Sequence, residues 1–190
     1  MNFKKVSVLT CFIVFMFSFV QVVHAEKNDL TKNKVSQCLG CHGSTGNSRI
    51  PTNPSLAAQS AMYIQAQLQN FQSGKRISPI MQNMAANLSK QDIKEFSRYF
   101  SKLKPKSSGS DKSALVKAGQ AKIAMCQGCH GSSLEGRGGF PRLAGQQPEY
   151  LKKQLLNFKN RSRKGGPMNA ITASFSEQDI NELAAYLGSL

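Results

Sequence analysis

Acidic residues are scarce in this chain. Ten Asp and Glu stand against 25 Lys and Arg in 190 residues, a formal net charge of +15. Such an excess raises nucleic acid as a partner, to be tested against location and charge distribution. Cysteine is sparse too, and five residues exclude a disulfide-stapled scaffold. Histidine is sparser still, at three. Beyond the first 25 residues no stretch alternates convincingly between apolar and polar positions, which argues against a sheet. Apolar residues are not in short supply. At 40% they can fill a core, which excludes a wholly disordered chain.

Residues 1–25 stand apart. Lys4 and Lys5 precede a mostly apolar run from Val6 to Val23, and Val23-His24-Ala25 offers a cleavage site before the polar Glu26-Lys27-Asn28-Asp29. This is the pattern of a secretory signal peptide, favoured over a retained membrane anchor by the small-residue ending. Cys11 lies too early in the run for a lipidation site. Cleavage removes Lys4, Lys5 and His24, so the charge falls to +13, and four cysteines and two histidines remain. The mature protein is expected outside the cytoplasm.

The mature chain is an internal repeat. Cys38-Leu39-Gly40-Cys41-His42-Gly43 answers Cys126-Gln127-Gly128-Cys129-His130-Gly131 at an offset of 88. Beyond one residue missing from the second loop the offset is 87. It pairs Pro54 with Pro141, Gln59 with Gln146, Tyr63 with Tyr150, Arg76 with Arg163 and Met81 with Met168. Lys104-Pro105-Lys106-Ser107-Ser108-Gly109-Ser110-Asp111 separates the halves and reads as a linker. The expected organisation is signal peptide 1–25, first domain 26–104, linker 105–111 and second domain 112–190. Each half, at about 79 residues, is small for a domain built on its own side chains.

Helical periodicity runs through both halves. Ile64, Leu68 and Phe71 form one stripe, repeated by Leu151, Leu155 and Phe158. Ile93, Phe96 and Phe100 form another, answered by Ile180, Leu183 and Leu187. Ser89-x-x-Asp92 and Ser176-x-x-Asp179 resemble capping boxes, and Pro148 suits a first helical turn. Short helices are expected just before each cysteine pair, around Leu30–Gln37 and Ala114–Met125.

Both cysteine pairs read C-x-x-C-H. Two thiols at this spacing add to the two vinyl groups of a porphyrin, and the adjacent histidine becomes an axial iron ligand. Two such motifs in register use every mature Cys and His: Cys38, Cys41 and His42 for one haem, Cys126, Cys129 and His130 for the other. A thioredoxin-like pair wants a βαβ setting that is absent here. A shared zinc site must join Cys41 to Cys126 across 84 residues, and a disulfide at this spacing is strained. With no histidine left, bis-histidine ligation needs another chain, and methionine is the natural sixth ligand. Met168 follows by elimination over Met125, which abuts Cys126. Met81 is its repeat partner, with Met84 the runner-up and Met62 a packing residue.

Softer expectations attach to the other repeated residues. Arg76 and Arg163 suit haem propionates, or are solvated surface arginines. Tyr63 and Tyr150 line a haem edge, or are amphipathic core residues. Pro54 and Pro141 present a carbonyl to the histidine Nδ1 proton, or are loop prolines.

This constellation resembles the dihaem cytochrome c4 family over nearly all of the mature sequence. The likeness is carried by the tandem motifs, the P-x-L-A-x-Q segments, the Y-x-x-x-Q-L-x-x-F helices, and the placement of Met81 and Met168. It implies an all-α fold of two tandem class I cytochrome c domains related by pseudo-twofold symmetry, with two covalently bound haem c groups. It also implies a non-enzymatic one-electron carrier between a quinol-oxidising complex and a terminal oxidase or other respiratory acceptor, often attached to the inner membrane. The alternative is a dihaem catalytic or electron-entry subunit of a periplasmic oxidoreductase or peroxidase, but no distal histidine is available. One departure is Ala58, where the second half has Gly145 and the family usually has Gly. The positive charge divides 11 basic to 4 acidic residues over 26–104 and 12 to 6 over 105–190. Spread this evenly, outside the cytoplasm, it points to redox partners with acidic docking surfaces or to anionic lipid, and not to nucleic acid.

Overall fold

The computed structural model describes residues 33–108 and 113–190. The signal segment, its cleavage site and linker residues 109–111 lie outside them. The chain divides into two compact units, 1–37 and 38–190. Both haem motifs belong to the second.

Among the described residues every regular element is helical, apart from one isolated bridge between Arg137 and Phe140. Helix α1 covers 33–42. It is followed in the first half by α2 (Ala61–Gln72), α3 (Pro79–Ala85) and α4 (Lys90–Ser101). The second half has α5 (Ala114–Lys122), α6 (Ala124–His130), α7 (Pro148–Lys159), α8 (Pro167–Ala173) and α9 (Glu177–Ser189). Packing repeats with the sequence. α2 lies on α4 and α3, while α7 lies on α9 and α8.

The expected stripes make the cores. Ile93, Phe96 and Phe100 of α4 are buried, as are Ile180, Leu183 and Leu187 of α9. Each such side chain contributes about 1.5–3 kcal/mol by leaving water. Both capping boxes form in full. Ser89 and Ser176 accept from the Asp92 and Asp179 N–H groups, and each aspartate carboxylate accepts the cap N–H in return. α5 crosses α9 so closely that a Cβ on Gly119 would lie 2.1 Å from the Glu182 carbonyl oxygen. Lys122 pairs there with Asp179 and Glu182.

Two expectations need correction. The helix expected over Ala114–Met125 breaks at Ile123, whose N–H turns back three residues to the Gln120 carbonyl. The helices also do not stop before the cysteines but contain them. Gly43 (φ +85°) and Gly131 (φ +91°) end them only after the histidines, as glycine does in the left-handed position that closes a helix.

The linker is stitched down where it is described. Asn47 Nδ2 donates to the Lys104 carbonyl at 3.0 Å, and Lys106 N–H donates to Asn47 Oδ1 at 2.8 Å. Ser108 Oγ donates to the Gly188 carbonyl at 2.8 Å.

Ala58 and its partner Gly145 share a backbone position. Ala58 N–H donates to the Phe100 carbonyl at 3.0 Å, and Gly145 N–H to the Leu187 carbonyl at 2.8 Å. Their φ angles are +54° and +74°. A left-handed alanine costs about 1–2 kcal/mol, offset by the roughly 0.5–1 kcal/mol of backbone entropy that glycine loses on folding. Ala58→Gly therefore stabilises the protein by about 0.5–1 kcal/mol in thermal or denaturant unfolding. Gly145→Ala goes the other way by more, because its Cβ would meet the Lys106 carbonyl oxygen at 2.8 Å.

Candidate haem sites

In each motif the first cysteine, the second cysteine and the histidine fall at i, i+3 and i+4 of a helix, and so on one face. Cys38, Cys41 and His42 end α1; Cys126, Cys129 and His130 end α6. None of these four cysteines is paired in a disulfide; the first of each pair is half-buried and the second exposed. Burial pushes the Cys38 and Cys126 thiols up from their ordinary value. Among the described residues no three His, Cys, Asp or Glu side chains gather as a shared zinc site would require.

The histidines are buried and oriented alike. His42 Nδ1 lies 2.8 Å from the Pro54 carbonyl oxygen, and His130 Nδ1 2.8 Å from that of Pro141. A carbonyl can only accept, so Nδ1 carries the proton and Nε2 keeps its lone pair. Burial lowers both histidine pKa values, against the carbonyl bonds that raise them. A neutral ring with a free Nε2 is what an iron ligand requires. The His130 ring also meets Phe140 edge-on at 6.1 Å between centroids. The repeat puts Asn53 at that place in the first half, where its Nδ2 donates to the Cys41 carbonyl at 3.2 Å.

Met81 and Met168 are half-buried in the first turns of α3 and α8, each helix opening on a proline. Thr172 Oγ1 donates to the Met168 carbonyl at 2.8 Å. Around Met81 the polypeptide leaves Ile80 72% and Met84 41% exposed. Met62 is exposed as well.

Arg76, Arg163, Tyr63 and Tyr150 meet in one cluster, but with partners exchanged between the halves. Arg76 Nη2 donates to Tyr150 Oη at 2.9 Å and to Gln154 Oε1 at 2.9 Å, and its Nη1 to Gln67 Oε1 at 2.8 Å. Arg163 Nη2 donates to Tyr63 Oη at 2.8 Å and to Gln67 Oε1 at 3.0 Å, and its Nη1 to Gln154 Oε1 at 2.6 Å. The guanidinium carbons stand 4.8 Å over the Phe71 ring and 4.5 Å over the Phe158 ring. Burial pushes the Tyr150 hydroxyl up, but the facing Arg76 and Arg163 outweigh it and hold it below the usual tyrosine value. Two cations thus share two amide oxygens, and among the described residues no Asp or Glu pairs with either. The solvated surface arginine is not what Arg163 became: it is 8% exposed.

The sequence motifs contain Gln67 and Gln154, and Gln59 and Gln146, but assign none of the four a role. Identity at the offset of 87 was the available signal for all four.

Comparison with known proteins bears on the fold and the family. The family model described as cytochrome c matches residues 116–190. Cytochrome c4 of Pseudomonas aeruginosa is 36% identical over 172 residues, covering 83% of this chain and 85% of that protein. The crystal structure of reduced cytochrome c4 from Pseudomonas stutzeri superposes with a TM-score of 0.79 at 33% identity, over 85% of this chain and 97% of the other. The thiosulfate dehydrogenase electron acceptor of Thiomonas intermedia is 30% identical over 176 residues, covering 82% of this chain and 79% of that protein. This chain, with its all-α class I fold and haem c attached covalently at Cys38/Cys41 and Cys126/Cys129, belongs to the dihaem cytochrome c4 family of electron-transfer proteins.

Proposed function

We propose that the protein is a periplasmic one-electron carrier built of two haem domains, 26–104 and 112–190, joined by 105–111. The observation that carries this reading is the repeated geometry of a C-x-x-C-H helix end whose histidine Nδ1 is held 2.8 Å from a proline carbonyl. When bound, the group supplies a one-electron Fe(III)/Fe(II) couple. The chain supplies the rest. Cys38, Cys41, Cys126 and Cys129 anchor; His42 and His130 offer Nε2; Pro54 and Pro141 fix those rings.

Met81 and Met168 complete each ligand set. The exposed Ile80 and Met84 around Met81 fit an apolar face that the polypeptide does not itself cover. Arg76 and Arg163 converge without a carboxylate, which suits the propionates. Each guanidinium has five N–H donors, and the bonds described use three. Tyr63 and Tyr150 hold the arginines in place.

A pyridine haemochrome spectrum with mass measurement of the mature protein tests this. The expected result is two covalent haems per chain starting at Glu26, and a protein without haem mass overturns it.

The donor and acceptor are read from charge. The basic surface steers the carrier to acidic patches on a quinol-oxidising complex and a terminal oxidase, with association at the inner membrane. Electron-transfer rates should fall roughly tenfold or more as salt is raised from low to high. Rates indifferent to salt count against steering. Likeness to the thiosulfate dehydrogenase electron acceptor supports a second reading, in which the electron arrives from a periplasmic oxidoreductase.

A further inference from the structure

Gln59 and Gln146 have no part in the sites above, yet they are only 5% and 6% exposed. Each reaches across to the other half. Gln146 Oε1 accepts from the Ser55 N–H at 2.7 Å, and its Nε2 donates to the Ser55 carbonyl at 2.9 Å. Gln59 Oε1 accepts from the Arg142 N–H at 2.7 Å, and its Nε2 donates to the Arg142 carbonyl at 3.0 Å. Ser55 and Arg142 are themselves repeat partners, so the exchange is reciprocal.

A buried amide needs hydrogen-bond partners in any case. The informative part is which peptide each glutamine holds. The Ser55 N–H and the Pro54 carbonyl belong to one peptide group, and that carbonyl accepts the His42 Nδ1 proton at 2.8 Å. The Arg142 N–H and the Pro141 carbonyl likewise share the peptide that holds His130. Two continuous chains result: Gln146, peptide 54–55, His42; and Gln59, peptide 141–142, His130.

Peptide resonance connects the two ends of each link. An acceptor on the N–H draws electron density toward the carbonyl oxygen and strengthens it as an acceptor, the usual cooperativity of hydrogen-bond chains. A stronger acceptor at Nδ1–H makes the imidazole a stronger donor at Nε2. A stronger donor favours ferric over ferrous iron.

We propose that Gln59 and Gln146 are positioning residues through which each half sets the donor strength of the other half's axial histidine. The potential of each iron then depends on the apposition of the two halves. The inference rests on His42 and His130 being axial ligands.

The test uses the haem-loaded protein and the variants Gln146→Met and Gln59→Met, which keep side-chain length without the amide. Potentials are measured by spectroelectrochemistry. Each haem is assigned from the Met81 and Met168 methyl resonances of the reduced protein. Gln146→Met should raise the first-half potential, changing the ferrous-to-ferric ratio at fixed potential about threefold, or about 30 mV for a one-electron couple. The second-half potential should move less. Gln59→Met should do the reverse. The Nδ1 proton resonance should move for His42 in the first variant and for His130 in the second, which a merely structural role would not produce. If either variant fails to fold, the other carries the same test. Unmoved potentials, equal shifts, or a shift confined to the glutamine's own half overturn the inference while the low-spin dihaem spectrum persists. A wild-type protein without that spectrum overturns the ligand reading along with it.

Discussion

Replacing Met168 with alanine lowers the potential of the second-half haem by more than about 100 mV, within the roughly 0.8 V that axial ligands command. A thioether sulfur favours ferrous iron and raises the potential, so its loss has a defined sign. The variant should fold, because little else depends on this side chain. Pro167 opens α8, and the bond from Thr172 Oγ1 holds the Met168 backbone through its carbonyl. Beyond residue 25 the sequence has no histidine other than His42 and His130 to take the place of the sulfur. Half of the methionine-to-iron absorption at the red end should vanish, with a high-spin signal in the oxidised protein. Met81→Ala should do the same to the first-half haem. If Met84 were the ligand there, Met81→Ala would leave the band whole and Met84→Ala would remove it. Both potentials standing unmoved in Met168→Ala would sink the assignment.

Much of the helical fold was legible in the sequence, for a physical reason. Short-range patterns write themselves directly into helices. The Ile93/Phe96/Phe100 stripe, its partner in α9, and both Ser-x-x-Asp caps are local, and all appeared as read. The end of α1 was misjudged although its signal was present, since Gly43 is the residue that stops a helix after His42. The exchange between halves was not legible at all. An offset of 87 says that Arg76 and Arg163 are equivalent, and so are Tyr63 and Tyr150. It does not say whether each arginine meets the tyrosine of its own half or of the other, because a closed pair and a reciprocal pair leave the same repeat. The structure chose the reciprocal one, for the arginines and for the glutamines at 59 and 146 alike.

That exchange gives Arg163 the largest expected effect on stability. Its guanidinium lies over Phe158 and bonds Gln154, Gln67 and Tyr63. Arg163→Ala strips a partner from all three and opens a void beside the ring. Breaking a buried charged network in this way costs about 3 kcal/mol. For a protein of this size that is roughly 6–12 °C in Tm. Arg163→Lys should recover less than half, since an ammonium cannot fork to an amide and a hydroxyl while stacking on the ring. Arg76 is less buried, so Arg76→Ala should cost less. The two effects should not add, because Gln67 and Gln154 each accept from both arginines. Contact through shared partners couples mutations by about 0.5–3 kcal/mol. Its sign here is set by charge: once one cation is gone the other is relieved of a like neighbour, so each arginine stabilises less beside its twin than alone, and the double variant should cost more than the two single ones together. A double-mutant cycle in the haem-loaded protein measures this coupling, and strict additivity would mean that the two arginines do not act as one cluster.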